Sequence, residues 1–199
     1  PTIMGHMAGS TEILAAYTVA GNVDKICMVI SFGLATTAAI IIGREVGAGR
    51  LEKVRSMGRA LSVLAVLCGL GVCGLLLLFA HVAAPAWVFP LFGMSPRASS
   101  IAVMMMTVLA FIRPLRDFNS VVIVGVLRGG GDTKFLMVAD VLFQWCASIP
   151  LGILVGLVWN MSPFWVLIAL RIDYFIKSVW LIFRLKSGKW IHKAKSIEA

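Results

Sequence analysis

Residues 111 to 134 read FIRPLRDFNSVVIVGVLRGGGDTK. Within them Arg113, Arg116, Asp117, Asn119 and Ser120 form the densest set of groups able to hold a cation, a proton or a charged ligand. A carboxylate one helical turn from a guanidinium can pair with it. At about 100° per residue, Arg113, Arg116, Asp117 and Ser120 fall within one arc of roughly 100° on a helix, with Asn119 just beside it and adjoining Arg116. Pro114 removes a helix hydrogen bond in the same turn. Further ionisable groups lie in other apolar stretches: Asp24 and Lys25, Asp140 with Gln144, and Arg171, Asp173 and Lys177.

The elements that carry these residues are unusual for a soluble protein. Of the 199 residues, 60% are hydrophobic and 14% charged, and the mean hydropathy is +0.96. Soluble domains carry about 25% charged residues. No charge falls between Ala60 and Ala80 or between Val141 and Leu170. About 20 apolar residues at 1.5 Å rise cross the hydrocarbon of a bilayer. Five spans are expected, at about 13–42, 57–84, 99–126, 134–158 and 163–185. The fold expected is therefore an all-α membrane protein, one helical domain over residues 1–199.

Intramembrane charges constrain that bundle. Each Asp, Lys or Arg at the centre of a span costs about 2.5 to 3.5 kcal/mol on insertion scales, against a gain of about 0.3 to 0.6 for a large aliphatic residue. The third span holds Arg113, Arg116 and Asp117 and must therefore be surrounded by protein, with its polar stripe toward the bundle interior or a hydrated cavity. Arg113 with Asp117, and Asp173 with Lys177, are spaced to pair within their helices. Such pairs could also be purely structural ties between helices. Arg116 exceeds what a self-contained pair needs and points toward function. Asp24 and Lys25 project about 100° apart, so each requires its own partner or water. Asp140 and Gln144 form a smaller polar face, more structural than coupling in character.

The net charge of +9 is a topology signal. Lys and Arg gather at 44–59 and 184–195, with Arg128 and Lys134 flanking a short turn, whereas 81–98 holds only Arg97. Basic loops alternate with neutral ones, as the positive-inside rule requires. This layout puts 43–59, 128–134 and the C-terminus in the cytoplasm and the start of this chain outside. It gives a lipid bilayer, not nucleic acid, as the partner of the positive charge. The opening PTIMGHMAGSTEILAAY lacks a basic n-region and a cleavage site, so it is not a signal peptide. Pro1 is no initiator, and the natural chain is expected to extend further toward its N-terminus.

Several chemistries are excluded or disfavoured. Neither glycine-rich turn contains a phosphate-binding GK[ST], and neither follows a strand. His6, His81 and His192 are scattered without ligand spacing, and Cys27, Cys68, Cys73 and Cys146 read as small packing residues. No metal site, cofactor or enzyme activity is expected. The methionines, Met104–Met106 included, read as packing or lipid-facing residues. In MSPRASS and NMSPFW, Ser before Pro suits a helix N-cap and first helical position. Asp132 suits an N-cap after its glycine turn. FPLFG and Trp87 are placed in an outer connection, where aromatic rings favour the interface.

Two turns, IIGREVGAGRLEKVR at 41–55 and LRGGGDTK at 127–134 after a mid-membrane polar helix, resemble the second half of the multidrug and toxic compound extrusion (MATE) transporters. The likeness extends through the order and spacing of nearly all the helices. It implies the last five helices of a twelve-helix fold whose two six-helix bundles enclose a central cleft. This chain would lack the first helix of the second bundle and all of the first bundle, which the same protein or a second chain would supply. The family exports organic cations and amphipathic drugs from the cell by antiport with sodium ions or protons, so a multi-pass plasma (inner) membrane protein with a small-molecule substrate is implied. Some branches carry a carboxylate ten residues before the leucine of the LR-G turn. Asp117 stands ten before Leu127 and is the implied cation-coupling residue. A second acidic residue of those branches belongs to the absent helix. The two arginines favour an Asp117 that stays ionised in a charge network, which would leave proton carriage to the absent bundle. They also leave open export of anionic or lipid-linked metabolites in the manner of a flippase. A non-transporting half-protein or membrane scaffold is the third reading. Gly43, Gly47, Gly49, Gly129, Gly130 and Gly131 make up the family turns, with short loop closure favoured over a gating hinge.

Overall fold

In the computed structural model, residues 10–133, 141, 144–159, 162–188 and 190–191 are described. Among them every regular element is helical. Helix α1 runs Ser10–Gly47. Helix α2 runs Leu51–Leu91 and helix α3 Pro96–Leu127. Helix α4 occupies 144–158, α5 is Pro163–Ala169 and α6 is Ile172–Ser187. The first three are long and apolar enough to cross a membrane.

Each long helix buries one narrow stripe. On α2 the buried positions are Val54, Gly58, Ser62, Ala65, Gly69, Val72, Cys73 and Leu76, recurring every three to four residues. Small residues dominate that list, while Leu67, Leu70, Leu75 and Leu78 are exposed. The pattern suits a bilayer: large aliphatic side chains meet lipid, and small ones let backbones approach. Helix α3 differs. Half of its apolar window is buried, against 22% for α1 and 28% for α2. It packs on α1, α2, α5 and α6. The long helix that carries three charges within five mid-span residues, Arg113, Arg116 and Asp117, is the one most completely surrounded by protein.

Three departures from the expected spans have local causes. The second helix does not end at 84: it continues through Pro85 as a wider π-helical segment, Phe79–Val88, and then Phe89–Leu91. The wider winding accommodates the donor that proline lacks. The outer connection therefore shrinks to the residues between Leu91 and Pro96, with Trp87 80% and Leu91 81% exposed at that end. The span at 163–185 is divided: α5 stops at Ala169, Leu170 and Arg171 form a turn, and α6 starts at Ile172. Arg171 leaves helical geometry at φ −115°, ψ 3°. Of the expected 134–158 span, 134–140, 142 and 143 lie outside the described residues.

Caps tie the outer ends. Ser95 Oγ accepts from the Ala98 amide at 3.2 Å and donates to Glu12 Oε1 at 2.9 Å, joining the starts of α1 and α3. Ser162 precedes Pro163 in extended conformation but makes no side-chain cap. At the opposite end the chain after α6 folds back, and Trp190, 1% exposed, packs with Ile42, Val54, Val126 and Leu127. The Asp132 carboxylate accepts from Arg184 Nη2 at 2.6 Å and Nε at 2.9 Å, tying the turn after α3 to α6.

Apolar packing forms two main layers. One holds Ile13, Ala16, Leu76, Met105, Met106 and Leu167. The other holds Ile42, Val54, Val122, Val126, Leu181 and Trp190. Between them on α1 and α3 lie residues 24–31 and 113–117. That intermediate band is polar.

Candidate functional site

The polar band is built by α1 and α3, with α2 closing its back. Asp24 and Ser31 are seven residues apart on α1 and so share a face. That face meets the Arg113–Asp117 turn of α3. Arg113 Nη1 donates to Asp24 Oδ1 at 2.9 Å, and its Nη2 donates to Ser31 Oγ at 2.7 Å. Its Nε lies 3.0 Å from Asp117 Oδ1. Ser31 Oγ donates to Asp117 Oδ1 at 2.6 Å, closing a ring of Arg113, Ser31 and Asp117. Arg116 Nη1 bonds the second Asp24 oxygen, and its Nη2 reaches the Met28 sulfur at 3.2 Å.

Two guanidiniums thus meet two carboxylates. Side-chain exposure is 0% for Arg113, 4% for Asp117, 7% for Asp24 and 16% for Arg116. Burying these charges is tolerable only because each sits against an opposite charge and fills its remaining hydrogen-bonding positions. Arg113 and Asp117 form the expected pair within α3, but Arg116 is not surplus. Asp24 bridges both arginines, so the excess positive charge expected of α3 is cancelled by α1. The groups enclose one another, and Arg116 is the most open of the four.

Gly69 of α2 makes the enclosure possible. A Cβ there would stand 2.6 Å from Pro114 Cα and 3.3 Å from Asp117 Oδ2. Only a glycine lets α2 lie this close behind the carboxylate. Helix α3 passes through Pro114 without breaking.

A second polar contact faces another direction. Asn119 does not join Arg116. Its Nδ2 donates to the Tyr174 carbonyl at 3.0 Å, and its Oδ1 accepts from Ser178 Oγ at 2.9 Å, binding α3 to α6. Ser120 is half-buried beside these groups. On α6, Asp173 and Lys177 pair at 3.1 Å and are both buried. Arg171, at the break before α6, donates to the Tyr174 hydroxyl at 3.2 Å, with its guanidinium 5.8 Å from the ring centroid.

The remaining expected residues scatter. Lys25 points away from Asp24 and is exposed, lining an open groove of about 480 Å³ with Met28, Val29, Phe32, Gly33 and Thr36. Asp140 and the side chain of Gln144 lie outside the described residues. Gly49 and Gly131 adopt left-handed backbone at φ 73° and 94°, as tight turns after α1 and α3 require. Gly129 serves close approach instead, since a Cβ would come 2.9 Å from the Ala39 carbonyl oxygen. Gly130 likewise abuts Trp190, Gly43 makes ordinary contact with Gly129, and Gly47 faces open space. Met105 and Met106 are wholly buried and Met104 packs against the same core. Cys73 is buried as expected of a packing residue, whereas Cys146 is exposed.

Sequence reasoning missed Ser31, Gly69, Trp190 and the Asp132–Arg184 tie. The first two had a signal. Ser31 repeats the Asp24 face two turns later, and Gly69 continues the small-residue series Gly58, Ser62, Ala65. Trp190 had none, because its burial depends on a chain reversal after Gly188.

Comparison with known proteins agrees with this architecture. The MatE family model matches residues 2–158, which include the α1–α3 cluster and both glycine turns. The uncharacterized transporter YisQ of Bacillus subtilis is 25% identical over 193 residues, 96% of this chain and 40% of that protein. The probable multidrug resistance protein NorM of Deinococcus radiodurans is 30% identical over 148 residues, 71% of this chain and 31% of that protein. Its namesake in Thermotoga maritima is 22% identical over 188 residues, 94% of this chain and 39% of that protein. The chain spans well under half the length of these relatives. With its long apolar helices, its paired glycine turns and the polar helix between them, this multi-pass membrane chain belongs to the MatE family of transporters.

Proposed function

We propose that the chain forms one wall of a membrane exporter that moves organic cations or amphipathic drugs in exchange for sodium ions or protons. The observation that carries this reading is the neutral cluster of Asp24, Arg113, Arg116 and Asp117, closed by Ser31. A cation delivered to Asp117 competes with Arg113 for the carboxylate and leaves the cluster with one net positive charge. In a low-dielectric interior that charge is costly, and an outward shift of Arg116, the most exposed member, relieves it. Binding a cation and loosening the contact between α1 and α3 then become one event, which is what an antiporter needs. Relatives named as multidrug resistance proteins support the drug side of this reading.

In this reading the open groove of α1 lined by Lys25, Met28 and Phe32 faces the transport cleft. A second bundle, from the same protein or another chain, supplies the opposite wall. The basic turns at 43–59 and 128–134 and the C-terminus lie in the cytoplasm of a plasma-membrane protein, and the start of α1 lies outside. Export of anionic metabolites fits less well, because Asp24 and Asp117 already neutralise the arginines that would recruit an anion.

Replacing Asp117 with Asn in the complete protein, assayed in membrane vesicles, tests this. Cation-driven efflux of a cationic dye should be lost while the protein remains folded and membrane-inserted. Unchanged efflux removes Asp117 from the coupling step. Efflux of anionic solutes in preference to cationic dyes overturns the substrate class, and a folded complete protein that moves neither leaves the scaffold reading standing.

A further inference from the structure

At the basic end of α2, against the turn that ends α6, Leu51, Glu52, Arg55, Arg59, Gly188 and Ile191 enclose a basin of about 490 Å³. Neither Arg55 nor Arg59 has an ion-pair partner among the described residues, although their neighbours do: Arg50 and Lys53 both pair with Glu45. Arg55 is nevertheless seated. Gly188 closes α6 in left-handed conformation at φ 66°, and a Cβ on it would stand 3.1 Å from Arg55 Cζ and 3.3 Å from Nε. A glycine at this turn therefore makes room for the guanidinium beside the basin. Arg59 follows one turn later on the same helix face.

Position decides what the basin takes. Residues 60 to 80 of α2 are uncharged, so Arg55 and Arg59 sit where the helix leaves the hydrocarbon. Leu51 and Ile191 provide apolar edges. Two arginines and Glu52 give the basin a net charge of +1, matched to a singly charged phosphate diester. Basic pockets between helices at this level of the membrane bind anionic headgroups.

We propose that this basin is a binding site for the phosphate diester of an anionic phospholipid. It does not depend on the transport reading, since it lies at the helix ends, away from the Asp117 cluster. Titrating the purified complete protein with phosphatidylglycerol, followed by native mass spectrometry, tests it. Arg55→Gln with Arg59→Gln should weaken binding about thirtyfold, at about 1 kcal/mol for each basic residue near the surface. Arg97→Gln, at the opposite end of the bundle, should leave it unchanged. Melting without lipid should be the same for all three proteins, separating lost binding from lost folding. Equal phosphatidylglycerol binding by the double variant overturns the site. So does an equal loss for phosphatidylcholine, which would show no preference for anionic lipid. Full displacement of the lipid by inorganic phosphate at equal concentration would assign the basin to free phosphate and overturn the lipid source.

Discussion

Helix α3 presents two polar contacts of opposite character within two turns. Toward α1 it offers Arg113, Arg116 and Asp117 to a carboxylate and a hydroxyl, so the contact is ionic and matched charge for charge. Toward α6 it offers Asn119 to a carbonyl and a hydroxyl, with no formal charge on either partner. A neutral amide contact changes little when cations or protons arrive. A matched ionic contact is altered by a single added cation. In the proposed mechanism the α3–α6 side is therefore the anchor, and the α1–α3 side the part that responds to a cation.

Breaking the ionic side should have the largest effect. Arg113→Ala leaves Asp117 and one oxygen of Asp24 buried without their guanidinium and should cost about 3 to 5 kcal/mol, read as a fall in thermal stability in detergent. An intermediate loss is expected from Gly69→Val, which keeps every charge but forces α2 away from Pro114. Overpacking of this kind costs about 1 to 3 kcal/mol. The same substitution at Gly71, which has open space around it, should be nearly silent by comparison. The neutral side should be the least sensitive. Ser178→Ala removes one hydrogen bond to Asn119 and should cost about 1 kcal/mol, with no change in cation dependence. If Ser178→Ala proved more harmful than Arg113→Ala, the roles of the two contacts would have to be exchanged.

Much of this arrangement was legible from residue types. A charged helix in a bilayer must be central, and α3 is. The Arg113–Asp117 pair and the divergence of Asp24 from Lys25 follow from helical spacing, and the Ser95 cap from a Ser placed before Pro. What spacing could not supply was the partner across the interface. Asp24 and Arg116 are 92 residues apart, and nothing local shows that one neutralises the other. Reading Arg116 as surplus was the natural result. Asn119 adjoins Arg116 on α3 yet bonds Tyr174 and Ser178 of α6, because adjacency on one helix does not say which neighbouring helix covers each edge. The expected end of the second helix failed at Pro85, where a π-helical winding absorbed the proline. The break at Leu170–Arg171 carried no proline or glycine to announce it.

The central claim is that a coupling cation opens the contact between α1 and α3. Its most direct measurement is the rate at which a water-soluble thiol reagent modifies Ser31→Cys in an otherwise cysteine-free complete protein. With neither sodium nor an inward proton gradient the rate should be low, because Ser31 is enclosed by Arg113 and Asp117. Adding the coupling cation should raise it, and Asp117→Asn in the same background should abolish that dependence on the cation. A rate indifferent to sodium, to protons and to residue 117 would contradict the account.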